Sequence, residues 1–246
     1  MNNINLDKLQ KYKDTLSQKN KEIVDTIVHN TIYIETDVLI EMVKQSLIKF
    51  ISQQPKYNLY IPTNKIGSEH LLMLKLQEFL KPVCCITDKL SKNTKIPNDY
   101  PILIIDDAIY SSHNMCAHVD NLTYHGIKNK IYCVVGVLSS RYTQVVRDFG
   151  TRVITYCVLE DKMICNLFKD YDFEYFYANF GCETQYILPL FFEHKIANEF
   201  GSYNFYHEIC EKPINRAPIE SITQQQVDDF IKNTGCIVIG QATYKP

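Results

Sequence analysis

Several short motifs that mark common enzyme classes are missing from this sequence of 246 residues. There is no P-loop, no G-x-G-x-x-G dinucleotide fingerprint, no G-x-S-x-G nucleophile turn and no zinc-ligand spacing. These absences argue against the enzyme classes that depend on such motifs. Internal repeats, low-complexity tracts and Gly/Ser-rich linkers are absent too, so we expect the C-terminal third to pack on the rest of the chain.

An excess of positive charge is also missing. The sequence has 26 basic and 28 acidic residues, a formal net charge of -2, so no overall field attracts nucleic acid. No apolar run approaches the length of a membrane span, and the first residues, MNNINLDKLQKYK, contain no apolar signal region. We therefore expect a soluble, cytoplasmic protein with no membrane partner and no strong preference for nucleic acid.

The nine cysteines form no C-x-x-C pair, which argues against a redox motif of that kind. Several lie inside apolar runs: Cys84, Cys85, Cys133, Cys157 and Cys236. Cysteine in such a position behaves as a small hydrophobic residue. The sequence therefore predicts buried, reduced thiols.

What the sequence does have is a regular alternation of strand and helix patterns. Strands are predicted over residues 57–61, 83–87, 101–105, 131–138 and 152–158. Helices are predicted between them over residues 68–80, 114–126 and 142–150, and an earlier apolar helix is predicted to be capped by Thr36 or Asp37. Such an alternation favours an α/β fold with a parallel sheet.

The patterns on either side of this alternation differ from it, and they suggest three parts. Residues 1–35 predict an N-terminal helical arm, residues 36–160 the α/β core, and residues 161–246 a C-terminal extension packed on the core. Within the extension, residues 188–200 favour a helix, Ser221 and Gln224 fit a capping box, and residues 236–239 fit a last strand.

The stretch IIDDAIYSSH, residues 104–113, contains the strongest chemical signal. Asp106 and Asp107 follow an apolar strand, and ligands of open parallel sheets bind beyond the carboxyl ends of the strands. Carboxylates accept hydrogen bonds from neighbouring hydroxyls, directly or through a metal ion. The start of the next helix offers hydroxyls and backbone N–H groups to a phosphate, through Ser111, Ser112, His113 and Asn114.

Two further loops would meet the Asp pair at the same edge of the sheet. The first contains Asn64 and Lys65, and the second contains Lys89. Their lysines would neutralise a second phosphate group. An alternative is that one aspartate only caps the following turn, in an α/β protein with no phosphate ligand.

Taken whole, residues 102–113 resemble the ribose-phosphate motif of type I phosphoribosyltransferases. Ile102 to Ile105 match the apolar strand, Asp106 and Asp107 the two acids, and the residues after Ile109 the hydroxyl-rich loop. The resemblance covers about residues 36–160, where the flanking strands, loops and helices follow the order of the family. It implies a Rossmann-like parallel sheet of the type I phosphoribosyltransferase kind, with an N-terminal helical arm and a C-terminal α+β hood that recognises a base.

The resemblance also implies a ligand and roles for individual residues. The ligand would be phosphoribosyl pyrophosphate or a nucleoside monophosphate with Mg²⁺, and the activity transfer of phosphoribosyl to a nucleobase-type acceptor. Asp106 and Asp107 would hold the ribose hydroxyls and, indirectly, Mg²⁺, and with Lys89 they would be the catalytic residues. The other implied contacts are Tyr110, Ser111, Ser112, His113 and Asn114 around the 5′-phosphate, and Asn64, Lys65 and Lys89 at the pyrophosphate.

Two loops depart from the pattern of the family. Ser112 stands where glycine is usual, Tyr110 is bulky, and the loop around Lys65 has no arginine. Glycine lets a backbone approach an anion closely, so these differences concern catalysis more than the fold. They favour an alternative function, a catalytically inactive nucleotide-binding sensor or scaffold on the same fold.

Other side chains give weaker signals. The spacing of His113, His118 and His125 does not predict a metal site. His194 lies on the predicted helix 188–200, where it would either line the hood or belong to an amphipathic face. The aromatic segment 171–180 fits hood core or a contact between copies, and a homodimer is the assembly we consider.

Overall fold

The computed structural model describes residues 3–63, 65–91, 94–109, 113–139, 153–161, 164–168, 173–180, 189–194, 209–211 and 215–240. Its helices are α1 (Leu6–Asp14), α2 (Gln18–Asn30), α3 (Thr36–Gln53), α4 (Ser68–Lys75), α5 (His113–Tyr124), α6 (Phe173–Phe180), α7 (Ala217–Glu220) and α8 (Gln224–Asn233). Its strands are β1 (Ile32–Ile34), β2 (Asn58–Ile61), β3 (Cys84–Thr87), β4 (Ile102–Ile105), β5 (Ala108–Ile109), β6 (Ile131–Val134), β7 (Val137–Ser139), β8 (Val153–Tyr156), β9 (Leu159–Asp161), β10 (Leu190–Phe192) and β11 (Ile237–Ile239). The predicted helix over residues 142–150 lies outside the described residues.

Six strands form one parallel sheet in the order β11–β3–β2–β4–β6–β8. The prediction of an α/β fold with a parallel sheet is therefore confirmed. Every residue of β2, β3, β4 and β6 is buried, as expected for strands covered on both faces. The chain runs from β2 to β3 on one side and from β4 to β6 on the other, so its direction of progress reverses between β2 and β4.

Two apolar layers cover the faces of this sheet. Successive strand residues point to opposite faces, so Leu59 and Leu103 belong to one layer while Tyr60 and Ile104 belong to the other. Helices α3, α4 and α8 pack on the first layer, and α5 packs on the second. The predicted end of α5 is confirmed, since Gly126 adopts a φ of 76° just beyond the helix.

Three neighbouring strands are interrupted at the same level. Strands β4, β6 and β8 end together, and β5, β7 and β9 resume two residues later as a second parallel sheet. The predicted single strand over residues 131–138 is therefore divided at Val135 and Gly136. The N–H groups of Gly136 and Val137 both lie near the carbonyl oxygen of Asp107, at 3.0 and 3.3 Å. The two aspartates of the central motif occupy the matching interruption after β4.

The prediction of a helix over residues 188–200 is wrong where the structure describes it. Residues 190–192 form β10, which pairs in parallel with β1, and residues 195–200 lie outside the described part. A short apolar run does not distinguish a buried strand from a helix, and here the distant partner β1 decides. Phe191 also joins α1 and α2 in a separate apolar cluster.

Two predicted caps also differ from the structure. Glu35, with extended backbone, is the N-cap of α3 instead of Thr36 or Asp37. The capping box of α8 is formed by Thr223 and Gln226, two residues beyond the predicted pair.

The predicted last strand is found as β11, at the edge of the large sheet beside β3. Among the described residues no helix is both long and apolar enough to cross a membrane.

Candidate functional site

A cavity of about 690 Å³ opens at the carboxyl ends of the central strands. Residues from the ends of β2, β3 and β4, from α4 and α5, and from α7 line it. The cavity lies at the point where the order of the sheet reverses, between β2 and β4. Open α/β sheets bind their ligands in this position, because the loops separate there.

The loop after β2 is held in place at both ends by the buried side chain of His70. The Nδ1 atom of His70 accepts a hydrogen bond from the Gly67 N–H at 3.1 Å, and its Nε2 lies 2.7 Å from the Pro62 carbonyl oxygen. Because Nδ1 accepts, Nε2 carries the proton and donates it to that carbonyl. Lys65, within this loop, lines the cavity. Asn64 lies outside the described residues.

The loop after β3 contributes an acid to the cavity wall. Asp88 lines the cavity and accepts hydrogen bonds from the backbone N–H and the hydroxyl of Thr63. These bonds tie the loops after β2 and β3 together. Lys89, the predicted catalytic lysine, is exposed and is not among the residues that line the cavity.

The structure separates the two aspartates of the central motif. Asp106 is half-buried and lines the cavity, and its Oδ1 accepts the N–H of Asp107 at 2.8 Å. Asp107 is fully buried: its Oδ1 accepts the Ala108 N–H at 2.6 Å, and its Oδ2 lies 3.1 Å from the Nε2 of His194. Of the predicted pair, Asp106 is therefore the carboxylate placed in the cavity wall.

His194 is brought to this site by β10. It lies two residues beyond the end of that strand and lines the cavity, and its ring stacks on Phe192 at 5.4 Å between centroids. The Asp107 carboxylate accepts the Nε2–H of His194, and the buried Nδ1 atom has no hydrogen-bond partner among the described residues. The sequence allowed two interpretations of His194, a residue lining the hood or part of an amphipathic face, and both placed His194 on a helix.

Helix α5 forms another wall. Asn114, predicted to bind phosphate, lines the cavity in the first turn, and His118 and Asn121 follow one and two turns later. His118 contacts the ring of Tyr60, and burial lowers the pKa of His118 despite the opposing charges of Glu69 and Asp88. Burial also raises the pKa of Tyr60 to about 12, so its hydroxyl stays protonated at neutral pH.

The predicted phosphate loop is described only at its helical end. His113 is the first residue of α5, while Tyr110, Ser111 and Ser112 lie outside the described residues. The structure therefore shows that a helix begins at the end of this loop, as predicted. The side chains of the loop itself are not described.

The charged lining contains a cation that the sequence pattern did not indicate. Arg216, the N-cap residue of α7, lines the cavity together with Lys65. The acidic side chains of the lining are Glu69, Asp88, Asp106 and Glu220. Arg216 lies more than a hundred residues from the central motif and belongs to no motif of its own, so only the folded chain brings it here.

The fold and this cavity define an α/β protein with a mixed-charge site at the carboxyl edge of a parallel sheet. Neither a family model nor a curated protein sequence matches the chain. A solved structure of a purine phosphoribosyltransferase from Pyrococcus horikoshii Ot3 is similar over 53% of this chain and 92% of its own, with 15% identity and a TM-score of 0.33. A likeness this weak establishes neither a family nor an activity.

Proposed function

We propose that this chain binds a phosphoribosyl ligand, phosphoribosyl pyrophosphate or a nucleoside monophosphate, on a core like that of type I phosphoribosyltransferases. One observation supports this most directly. Asp106 follows β4 at the reversal point of the sheet and shares a cavity with two cations, Lys65 and Arg216. A carboxylate suits sugar hydroxyls, and the cations suit phosphate groups.

Two helices begin at the walls of the same cavity. The first residue of α4, Ser68, and the second residue of α5, Asn114, both line it. The N–H groups and the dipole at the start of a helix favour an anion. In this proposal the start of α5, with the loop from Tyr110 to Asn114, receives the 5′-phosphate, and Lys65 with the loop after β2 receives the pyrophosphate.

The expected Mg²⁺ fits this site only as an ion coordinated jointly by the protein and the phosphates of the bound ligand. The described residues contain no group of three or more histidine, cysteine, aspartate or glutamate side chains that would hold a metal ion. Mg²⁺ is commonly held by one or two carboxylates together with substrate phosphates and water. Asp106 would supply the protein carboxylate, and the bound ion would neutralise phosphate charge.

In a transfer reaction, these residues would act by positioning the ribose and by stabilising the charge on the leaving group. Asp106 would orient the ribose through its hydroxyls, and Lys65 and Arg216 would stabilise the charge that develops on the departing pyrophosphate. The C-terminal segment that contains Arg216 would form part of a hood over the base. In this proposal Lys89, which is exposed and directly follows the cavity-lining Asp88, would contact the pyrophosphate.

A second candidate function is a nucleotide sensor or scaffold without catalysis. The observation in its favour is the burial of Asp107, whose two carboxylate oxygens face Ala108 and His194. Ribose would then be held by one acid where the motif predicts two. Binding would persist, while precise orientation of the sugar for transfer would be weaker.

Isothermal titration with phosphoribosyl pyrophosphate and Mg²⁺ tests the binding proposal. Asp106→Asn should weaken binding about 10- to 100-fold, the range expected for a hydrogen bond to a charged group. Lys65→Ala and Arg216→Ala should also weaken it. The matched controls are Asp120→Asn and Lys75→Ala, exposed residues of α5 and α4 outside the cavity lining, which should bind like wild type.

The outcomes separate the alternatives. Absence of binding by the wild-type chain, or equal binding by Asp106→Asn, would sink both the enzyme and the sensor proposals. Pyrophosphate release on addition of a nucleobase would favour the transferase. Tight binding without release across a panel of bases would favour the sensor.

A further inference from the structure

Two thiols that lie far apart in the sequence meet at the edge of the large sheet. Cys85 is in the middle of β3, and Cys236 directly precedes β11, the neighbouring edge strand. Their sulfur atoms are 2.6 Å apart. In the parallel register Ile237 lies opposite Cys84 and Val238 opposite Cys85, so Cys236 reaches Cys85 diagonally from just before β11.

The surroundings favour reaction between these two thiols. Cys85 is fully buried, whereas Cys236 is half-buried and adjoins the exposed Gly235. The hydroxyl of Thr234 lies 2.9 Å from the sulfur of Cys236 and 3.6 Å from that of Cys85. Cys236 is thus the more exposed of the two thiols, and Cys85 is already in contact with it.

We propose that Cys85 and Cys236 form a redox-active dithiol that closes into an intramolecular disulfide and fastens β11 to β3. The sequence predicted both residues to be buried, reduced thiols because they lie in apolar runs, and their spacing in the sequence did not indicate that they meet. The proposal is independent of the ligand that the cavity binds.

The electrostatics of the pair are consistent with this chemistry. Hydrogen bonding with Cys85 and with the Thr234 hydroxyl lowers the pKa of Cys236 to about 6, against the effect of burial. The same contact with Cys236, together with burial, raises the pKa of Cys85. Cys236 is therefore the nucleophile, since the thiolate is the reactive form, and Cys85 resolves the intermediate.

A small disulfide such as oxidised glutathione supplies the oxidant. The Cys236 thiolate attacks one of its sulfurs, breaking the S–S bond, forming a mixed disulfide and releasing one glutathione thiolate. Cys85 then gives up its proton and attacks the sulfur of Cys236, releasing the second glutathione. Two protein thiols are oxidised, one glutathione disulfide is reduced, and the two thiol protons end on the two glutathione molecules.

The disulfide would close a loop between residues 85 and 236, which spans the core, the extension and the cavity-lining segment around Arg216. Long closed loops restrict the unfolded chain most strongly. We expect the oxidised chain to unfold at a temperature roughly 5–15 °C higher than the reduced chain.

The experiment is incubation of the reduced full-length chain with oxidised glutathione, followed by thiol titration and non-reducing peptide mapping. Two of the nine thiols should disappear, the chain should lose the mass of two hydrogen atoms, and the Cys85 and Cys236 peptides should be joined. Cys85→Ser should stop at a glutathione adduct on Cys236. Cys236→Ser should lose the disulfide altogether.

Cys84→Ser is the matched control, because Cys84 is the adjacent buried thiol of β3 and lies instead against Asn98. It should form the disulfide like wild type. Nine unreacted thiols in the wild-type chain, a disulfide that persists in Cys236→Ser, or an unchanged melting temperature after oxidation would overturn the proposal. The first measurement is the mass of the oxidised wild-type chain, so the test of disulfide formation does not depend on the stability of the variants.

Discussion

At the scale of single residues, the two neighbouring aspartates have different surroundings. Asp106 faces the cavity, whereas Asp107 is fully buried and accepts hydrogen bonds from Ala108 and His194. Adjacent residues of an extended chain point in opposite directions, so a DD pair at a strand end does not present two equal carboxylates. We therefore expect loss of Asp107 to affect stability and loss of Asp106 to affect binding.

Replacing Asp107 by alanine should lower the free energy of unfolding by about 3 kcal/mol, because a buried N–H of Ala108 and the Nε2–H of His194 lose their acceptor. Urea unfolding followed by circular dichroism measures this. Asp120→Ala, on the exposed side of α5, should stay within about 0.5 kcal/mol of wild type. Two variants of equal stability would contradict the role assigned to Asp107.

His118 gives a pH dependence whose direction is fixed by burial. Its pKa in the fold is below the value of 6.5 for a free side chain, so below that pH the unfolded chain binds more protons than the folded chain. The stability that His118 contributes is fully present above pH 6.5 and is lost as the pH falls towards the folded pKa. Acidification should therefore destabilise the protein.

The role of His118 is tested by measuring the unfolding midpoints of wild type and variants at about pH 7.5 and at about pH 5.5. His118→Gln should show a smaller loss of stability on acidification than wild type. His29→Gln, at the exposed end of α2, should keep the wild-type dependence. If both variants respond to pH as wild type does, His118 is not the group responsible.

At the scale of elements, the common interruption of β4, β6 and β8 decides where the acids lie. The Asp107 carbonyl oxygen is near two N–H groups of the chain after β6, at Gly136 and Val137. A side chain at residue 136 would crowd two neighbours. Its Cβ would lie 2.6 Å from Cδ1 of Leu39 and 3.2 Å from the carbonyl oxygen of Asp107. A larger residue at position 136 would therefore require the Leu39 side chain and the Asp107 carbonyl to shift.

Gly136→Ala should destabilise the protein by about 1–3 kcal/mol, the usual cost of overpacking a core. Adding Leu39→Val removes the closest atom, so the double variant should cost about 1 kcal/mol less than the sum of the two single changes. Chemical unfolding of the four proteins measures this coupling. Strict additivity would show that contact with Leu39 is not the cause.

At the scale of the whole molecule, segments distant in sequence complete the structure around the core. β1 pairs with β10, β11 extends the sheet beside β3, and α7 brings Arg216 to the cavity. The cavity therefore combines residues from the loops of the core with residues from the C-terminal third. The homodimer and the cytoplasmic location expected from the sequence stay predictions.

The sequence by itself determined the elements whose signals are local. Apolar runs between turn residues predicted β2, β3, β4 and β8, and the acids at the end of β4 predicted a site at that edge of the sheet. These predictions hold because a strand that is covered on both faces has apolar residues at nearly every position, which is visible within the segment itself. The prediction of a helix over residues 188–200 was wrong, because the apolar run at residues 190–192 is too short for its period to distinguish a strand from a helix.

Only the tertiary structure decided which side chains meet. The burial of Asp107 against His194, the presence of Arg216 and Lys65 in the lining of one cavity, and the contact of Cys85 with Cys236 all bring together residues far apart in the chain. Strand order and register create these contacts, and both are set by packing across the whole core. A pattern read along one segment contains no information about its distant partners.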